Sequence, residues 1–280
     1  MQQDTLDLEM LVALVEDVAT AELLPRYRHV TSRRKSDGSL LTEADLAVQR
    51  ELRQALQARF PQYALLGEEM SAEEQQHLLA AGQAGLWCLD PLDGTGNFAA
   101  GIPIFAVSLA LIRSGRVELG VVHDPLRGES FWARRGAGAW LDGERLRVPD
   151  APDTLADTTG LVDLKRLPAP LATALATRPP YRSQRSFGSV ALDWCWLAAG
   201  RCHVYLHGSQ RLWDYAAGAL VLQEAGGAGG LLSDFAGDWQ HAVDLAPRIG
   251  LGAANAPLLA AWRRWIDDAR QAPDDSSSSS

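Results

Sequence analysis

The chain predicts a fold of the α+β / α/β class, on three features of its patterning. Apolar residues recur at helical spacing near the amino terminus, short apolar runs divided by turns fill the middle, and strands alternate with helices beyond residue 150. Within residues 5–24, Leu8, Leu11, Val12, Val15 and Val18 mark one face of an amphipathic helix that Pro25 helps to end. The polar stretch 31–39 breaks this pattern. Thr42 followed by Asp45 makes a capping-box-like pair, with Asp in place of Glu, and opens a second helix to about residue 60. Residues 63–67 read as a short strand. From Leu86 the texture turns to β, with strands at 86–89, 104–112, 116–123 and 129–133 and a turn-rich 136–143, which suggests an antiparallel sheet of hairpins. Pro149 to Pro152 mark the crossing into a second half, so the chain divides into an α+β half over 1–150 and an α/β half over 151–270. Residues 271–280 form a tail, charged and serine-rich at its end, that is expected to be disordered. In the second half, 156–161, 181–187, 202–206, 229–232 and 248–253 read as strands between helices at 169–177, 189–199, 214–225 and 256–270.

A chain of 280 residues with 47% hydrophobic content can bury a substantial core. Its formal net charge of −9 argues against nucleic acid as a primary partner, because polyanion binding needs a basic surface. Small phosphate esters stay open if metal ions supply positive charge locally. The longest apolar stretch, 102–112, contains Pro103 and Ser108 and falls short of the ~20 residues of a membrane span. No basic-then-apolar leader opens the chain, and no membrane partner is expected. Cys88, Cys195 and Cys202 each lie in an apolar setting and fit no disulfide framework, which points to reduced, buried thiols in the cytoplasm.

Three acidic sites stand out. In Trp87-Cys88-Leu89-Asp90-Pro91-Leu92-Asp93-Gly94-Thr95, an apolar run ends on two carboxylates three apart, then a glycine and a hydroxyl. Paired carboxylates suit a hard cation such as Mg2+, Gly94 lets backbone N–H groups approach an anion, and Thr95 adds a hydroxyl. An Asp-Pro…Asp-Gly turn that caps its own backbone is the alternative. Residues 63–67 deliver Glu68 at the end of a short strand, and Asp214 sits at a helix start. Glu68 has a plain reading as a solvated loop residue, and Asp214 as an N-cap. A single shared site explains all three at once. If Glu68, Asp90, Asp93 and Asp214 meet, about four negative charges share one cleft and cations must be part of it. Gly136-Ala137-Gly138 is a turn and a poor dinucleotide fingerprint, because no strand-glycine-helix unit surrounds it.

The segments Gly67-Glu68-Glu69, Asp90-Pro91-Leu92-Asp93-Gly94-Thr95-Gly96-Asn97-Phe98 and Trp213-Asp214-Tyr215-Ala216-Ala217-Gly218 resemble the markers of the inositol monophosphatase family. Lys35 to Asp45 is similar to that family's mobile loop and the acidic residue that follows it. The resemblance implies a five-layer αβαβα sandwich of the inositol monophosphatase / fructose-1,6-bisphosphatase type. It also implies a lithium-sensitive, Mg2+-dependent phosphomonoesterase that acts through metal-activated water with two or three ions. On that likeness Glu68, Asp90 and the Leu92 carbonyl would hold one ion, Asp90, Asp93 and Asp214 a second, and Glu68 with water a third. Thr95, oriented by Asp45, would act with Glu68 as general base. Backbone N–H groups of Gly94 and Thr95 would hold the phosphate, and Lys35 could close over the cleft. Family members are commonly homodimers.

Gly188, Ser189 and Val190 resemble the family's turn into a helix and would offer contacts to the alcohol, although Ser189 is equally a plain N-cap. His203 and His207 depart from the pattern. His207 stands where inositol-hydrolysing members present a glutamate to ring hydroxyls. His203, Tyr205 and His207 fall on one face of an expected strand, which suits a base, a sugar or a second phosphate. The favoured substrate is inositol 1-phosphate or a related small ester, with adenosine 3′,5′-bisphosphate or fructose 1,6-bisphosphate as the alternative. A binding protein with vestigial hydrolysis is a reading of another class, which intact ligands weigh against. Asp93→Asn and Asp214→Asn are each expected to remove most activity and leave the fold intact.

Overall fold

The computed structural model describes residues 7–29, 32–34 and 40–271. Helix α1 (Leu8–Glu22) starts at Asp7, whose carboxylate accepts the Met10 N–H. A short ladder of β1 (Ser32–Arg34) and β2 (Leu40–Thr42) leads into α2 (Glu43–Arg59) through the expected capping box. Next come β3 (Ala64–Gly67), α3 (Ala72–Ala81), β4 (Leu86–Asp93) and the short α4 (Thr95–Ala100). A meander follows: β5 (Ala106–Arg113), β6 (Arg116–Asp124), β7 (Glu129–Arg134), β8 (Gly138–Leu141) and β9 (Glu144–Leu146). These strands build a seven-stranded sheet in the order β3-β4-β5-β6-β7-β8-β9.

The sheet is antiparallel from β4 onward, as expected, but β3 pairs in parallel with β4. A parallel pair needs a crossover, and α3 supplies it. Helix α3 is absent from the elements expected from the sequence, although Ser71 and Glu74 form a capping box at its start. The 136–143 stretch likewise contains β8 rather than turns alone.

The second half runs β10 (Thr159–Asp163), α5 (Ala169–Thr177), β11 (Ser183–Arg185), α6 (Val190–Ala198), β12 (Val204–Gln210), α7 (Leu212–Glu224), β13 (Ala228–Leu232), β14 (Trp239–Gln240), β15 (Arg248–Ala253) and α8 (Ala256–Gln271). Its six strands lie in the order β11-β10-β12-β15-β13-β14, with the first three parallel. Helix α8 takes in Gln271, the first residue of the expected tail, and 272–280 lie outside the described residues.

Strand β4 shows how the layers arise. Trp87 and Leu89 pack with Leu11, Val15, Leu52 and Leu56 of α1 and α2, whereas Leu86 and Cys88 face Trp194, Leu212 and Ala217 of α6 and α7. Burial on both faces is why this strand reads as an unbroken apolar run. Helices α5 and α8 cover the far side of the second sheet through Leu171, Leu175, Trp262 and Ile266. The result is a five-layer αβαβα sandwich. Because α6 and α7 pack on the first sheet, one core spans the boundary near residue 150. The packing is close: a Cβ at Gly120 of β6 would meet the Ala217 Cα at 2.7 Å, so α7 can sit there only against glycine. No helix among the described residues is long and apolar enough to cross a membrane. Cys88, Cys195 and Cys202 are buried and unpaired.

Candidate active site

Residues three apart on a strand ordinarily point to opposite faces, so Asp90 and Asp93 need a local irregularity to act together. Pro91 lies between them and has no N–H for the ladder. Asp90 pairs with Ser108 and Asp93 with Ala106, so β4 holds one more residue than β5 over this step. The extra residue brings both carboxylates to the face of Leu86 and Cys88, towards α6 and α7. Gly94 then turns the chain with a φ of 88° into α4.

Each carboxylate is held by nearby backbone. Asp90 Oδ1 accepts the Leu92 N–H at 3.0 Å. Asp93 reaches across the chain to α6, where Ser189 Oγ donates to it at 2.5 Å and the Val190 and Ala191 N–H groups at 3.2 and 2.8 Å. Ser189 is the residue before α6, but its hydroxyl does not cap that helix; the Asp93 carboxylate does. Asp214 lies in the first turn of α7, not at its N-cap, and accepts the Arg211 N–H at 2.8 Å. Asp45 takes the Thr42 N–H and hydroxyl on Oδ2 at 2.7 and 2.6 Å, which leaves Oδ1 3.3 Å from the Thr95 hydroxyl. Thr95 Oγ1 also lies 2.9 Å from the Leu92 carbonyl, and its one proton can serve either acceptor.

Electrostatics shows that these groups are neighbours. Burial, and after it the charges of Glu68, Asp93 and Asp214, push the Asp90 carboxyl well above its ordinary range. Burial and then Asp93 do the same to Asp214. Burial raises Asp93 to about 6 against the pull of its hydrogen bonds to Ser189, Ala191 and Val190. Asp45 is also raised by burial to about 6, with Glu68 adding to the rise and Thr42 opposing it. Among the described residues, no Lys or Arg lies within ion-pair distance of Asp90, Asp93 or Asp214. Hard oxygen donors, crowded and without a paired cation, suit a divalent ion such as Mg2+. As they stand, however, no three His, Cys, Asp or Glu side chains among the described residues are grouped closely enough to hold one. Asp93 is held by the α6 start and Asp214 by the Arg211 N–H.

Gly188, Ser189 and Val190 lie against Asp93 and α4: Asn97 Nδ2 donates to the Phe187 carbonyl at 2.6 Å and to the Ile104 carbonyl at 2.8 Å. The expected His203, Tyr205 and His207 face is not available as a unit. Tyr205 is fully buried and its hydroxyl accepts from Gln210 Nε2 at 2.8 Å, while His203 Nδ1 accepts the Thr159 N–H at 3.0 Å. His207 is buried as well, with Nε2 3.3 Å from Asp163 Oδ2. Lys35 lies outside the described residues. A cavity of about 470 Å³ lined by Trp194, Tyr215 and Trp239 contains none of the four carboxylates, and neither does one of about 510 Å³ lined by Leu79, Leu86, Ile112 and Val243.

Several contributors escaped the sequence reading. Gln75 of α3 donates to the Gly67 and Glu68 carbonyls at 2.9 and 3.2 Å and so pins the turn that carries Glu68. The buried Asp193 of α6 is raised well above the ordinary range by burial and then by the charges of Asp93 and Asp163, and its Oδ1 has no hydrogen-bond partner. Only the Ser71–Glu74 capping box could have signalled α3. Asp193 and Asp163 carry no local signature.

A model of the inositol monophosphatase family matches residues 6–266. Among curated proteins, the chain is 37% identical over 224 residues to the Nus factor SuhB of Pasteurella multocida, which covers 77% of this chain and 81% of that protein. It is 35% identical over 228 residues to the Nus factor SuhB of Escherichia coli, covering 74% and 76%. Among solved structures, the Thermotoga maritima IMPase superposes with a TM-score of 0.79 at 28% identity, over 94% of this chain and 98% of that one. The extragenic suppressor protein SuhB of Bartonella henselae gives 0.73 at 28% identity over the same shares.

Proposed function

Since the chain belongs to the inositol monophosphatase family, we propose that it is a Mg2+-dependent phosphomonoesterase acting on inositol 1-phosphate or a related small phosphate ester. The observation that carries this reading is the crowding of Asp90, Asp93 and Asp214 with Glu68, which burial and mutual repulsion make costly without cations. Glu68, Asp90 and the Leu92 carbonyl would hold one ion, Asp90, Asp93 and Asp214 another, and Glu68 part of a third. When bound, the ions would supply positive charge that polarises the phosphoryl group and acidifies the attacking water.

The chain's own groups do the rest. The attacking water gives its proton to the Thr95 hydroxyl, which passes its own to Asp45 3.3 Å away, with Glu68 as the second base that orients the water. Backbone N–H groups of Gly94 and Thr95 hold phosphoryl oxygens, while the turn at Gly188, Ser189 and Val190 borders the alcohol. The resemblance extends to a homodimer, and the three buried thiols suit a reducing cytoplasm.

Release of inorganic phosphate tests the reading directly. Inositol 1-phosphate, adenosine 3′,5′-bisphosphate, fructose 1,6-bisphosphate and a nucleoside monophosphate would be assayed with Mg2+ and again with EDTA. Metal-dependent release is expected, and no release from any of them would refute the proposal. In Thr95→Ala, kcat is expected to fall roughly a hundredfold or more with KM little changed, because the hydroxyl acts in proton transfer. Equal turnover in the two proteins would remove Thr95 from that role.

That relatives are named Nus factors favours a second reading in which the chain works by binding a macromolecular partner and hydrolysis is vestigial. The retention of Glu68, Asp90, Asp93 and Asp214 weighs against it, and the same phosphate assay separates the two.

A further inference from the structure

Three parallel strands aim their carboxyl ends at the candidate site. Strand β11 leads through residues 186–189 to the α6 N–H groups that hold Asp93, and β12 leads to the first turn of α7 and Asp214. In the sheet, β10 lies between them, and it ends on Asp163. The crevice outside the carboxyl ends of parallel strands is where α/β sheets take their ligands. The charges agree with this placement: Asp193 feels both Asp93 and Asp163, and buried Tyr205 feels Asp93, Asp214 and Asp163 together.

Asp163 and His207 are direct partners across β10 and β12. His207 Nε2 lies 3.3 Å from Asp163 Oδ2, and His207 Nδ1 accepts the Ser209 N–H at 3.3 Å. This assigns the Nε2–H tautomer and commits both ring nitrogens. The imidazole therefore has nothing left to offer a hydroxyl. Asp163 does: it accepts the Lys165 N–H at 3.3 Å and the His207 contact, which fills about two of the four lone-pair sites of a carboxylate. Burial opposes its ionisation, but the hydrogen bond from His207, with Lys165, outweighs that and holds the carboxyl below its ordinary range. Lys165 Nζ is 3.8 Å away but 73% exposed, so solvent screens it.

We propose that Asp163 reads the alcohol half of the substrate, its carboxylate accepting hydrogen bonds from hydroxyls of a polyol or sugar monophosphate, with His207 as its positioning residue. This rests on the phosphatase reading above and narrows it. A fixed negative charge at the alcohol wall repels a second phosphate, so a polyhydroxy monoester is preferred over a bisphosphate.

The test compares kcat/KM for inositol 1-phosphate with that for 4-nitrophenyl phosphate, whose leaving group has no free hydroxyl. In Asp163→Asn the ratio is expected to fall roughly tenfold to hundredfold, chiefly through KM for the polyol ester, as losing a charged hydrogen bond implies. Asp163→Glu, which keeps the charge, should recover part of the ratio, and His207→Phe should lower it by loosening the carboxylate. Melting curves identify any variant that has merely lost its fold. An unmoved ratio in Asp163→Asn, or wild-type protein that prefers adenosine 3′,5′-bisphosphate to inositol 1-phosphate, overturns the inference while 4-nitrophenyl phosphate turnover leaves the phosphatase reading standing. If wild-type protein hydrolyses no ester with Mg2+, that reading falls and this inference falls with it.

Discussion

Asp90→Asn is expected to stabilise the metal-free protein while it disables the enzyme. Activity with Mg2+ should drop by more than roughly a hundredfold, the upper end of what losing even a supporting partner of a metal ligand costs. In EDTA near neutral pH, the melting temperature of the variant should instead lie above that of the wild type. Asp90 is buried and repelled by Glu68, Asp93 and Asp214, so an uncharged isostere removes a cost. Its one hydrogen bond among the described residues, from the Leu92 N–H to Oδ1, can still be accepted by an amide oxygen. Added Mg2+ should then raise the melting temperature of the wild type and have little effect on the variant. A variant that melts below the wild type in EDTA would show that these charges do not crowd one another.

The pH dependence follows with a definite sign. A carboxyl whose folded pKa is raised keeps its proton in the native state at pH values where the unfolded chain has lost it. Its contribution is complete below the unfolded value near 4 and is lost as pH rises through the folded value. Asp90, Asp93 and Asp214 share this direction, Asp93 with a folded value of about 6. His123 and His203 pull the other way, because burial lowers their pKa and the unfolded state gains their protons first as pH falls. The difference in melting temperature between Asp90→Asn and wild type cancels the histidines. That difference should grow as pH rises above the unfolded value near 4, and a flat difference would contradict the assignment.

Asp93→Asn should behave differently, and worse than its sequence suggests. Asp93 is a candidate ligand and also the cap of α6, with Ser189, Val190 and Ala191 all donating to it. An amide has one accepting oxygen and turns an NH2 towards donors, so at least one buried N–H loses its partner at about 1–3 kcal/mol. Activity should fall as it does for Asp90→Asn, but the melting temperature should fall too, in EDTA and in Mg2+ alike. A melting temperature at or above that of the wild type would mean that α6 does not lean on Asp93. The hydrogen bonds from the α6 start therefore argue against the expectation that this substitution spares the fold.

Local patterning made much of the architecture legible. The Thr42–Asp45 box opens α2 at its expected place, the apolar runs from Leu86 build the meander, and α5 spans the expected 169–177. Capping boxes, turn residues and apolar runs act over a few residues, so they survive being read one segment at a time. The acidic motifs are local too, and their residue types suggest hard-cation chemistry before any fold is known. By contrast, the parallel β3–β4 pair needed α3, which is short and polar enough to leave little apolar signal.

The sequence alone determined a layered α/β chain and singled out Glu68, Asp90, Asp93 and Asp214 as candidate metal ligands, because residue type and spacing carry that information locally. Only the tertiary structure decided that one extra residue in β4 turns Asp90 and Asp93 to the same face, that Asp93 caps a helix ninety-odd residues away, and that both ring nitrogens of His207 are taken up by Asp163 and Ser209. Those facts depend on which strands become neighbours and in what register. Register is settled by packing two faces of each sheet at once, and no single segment contains it.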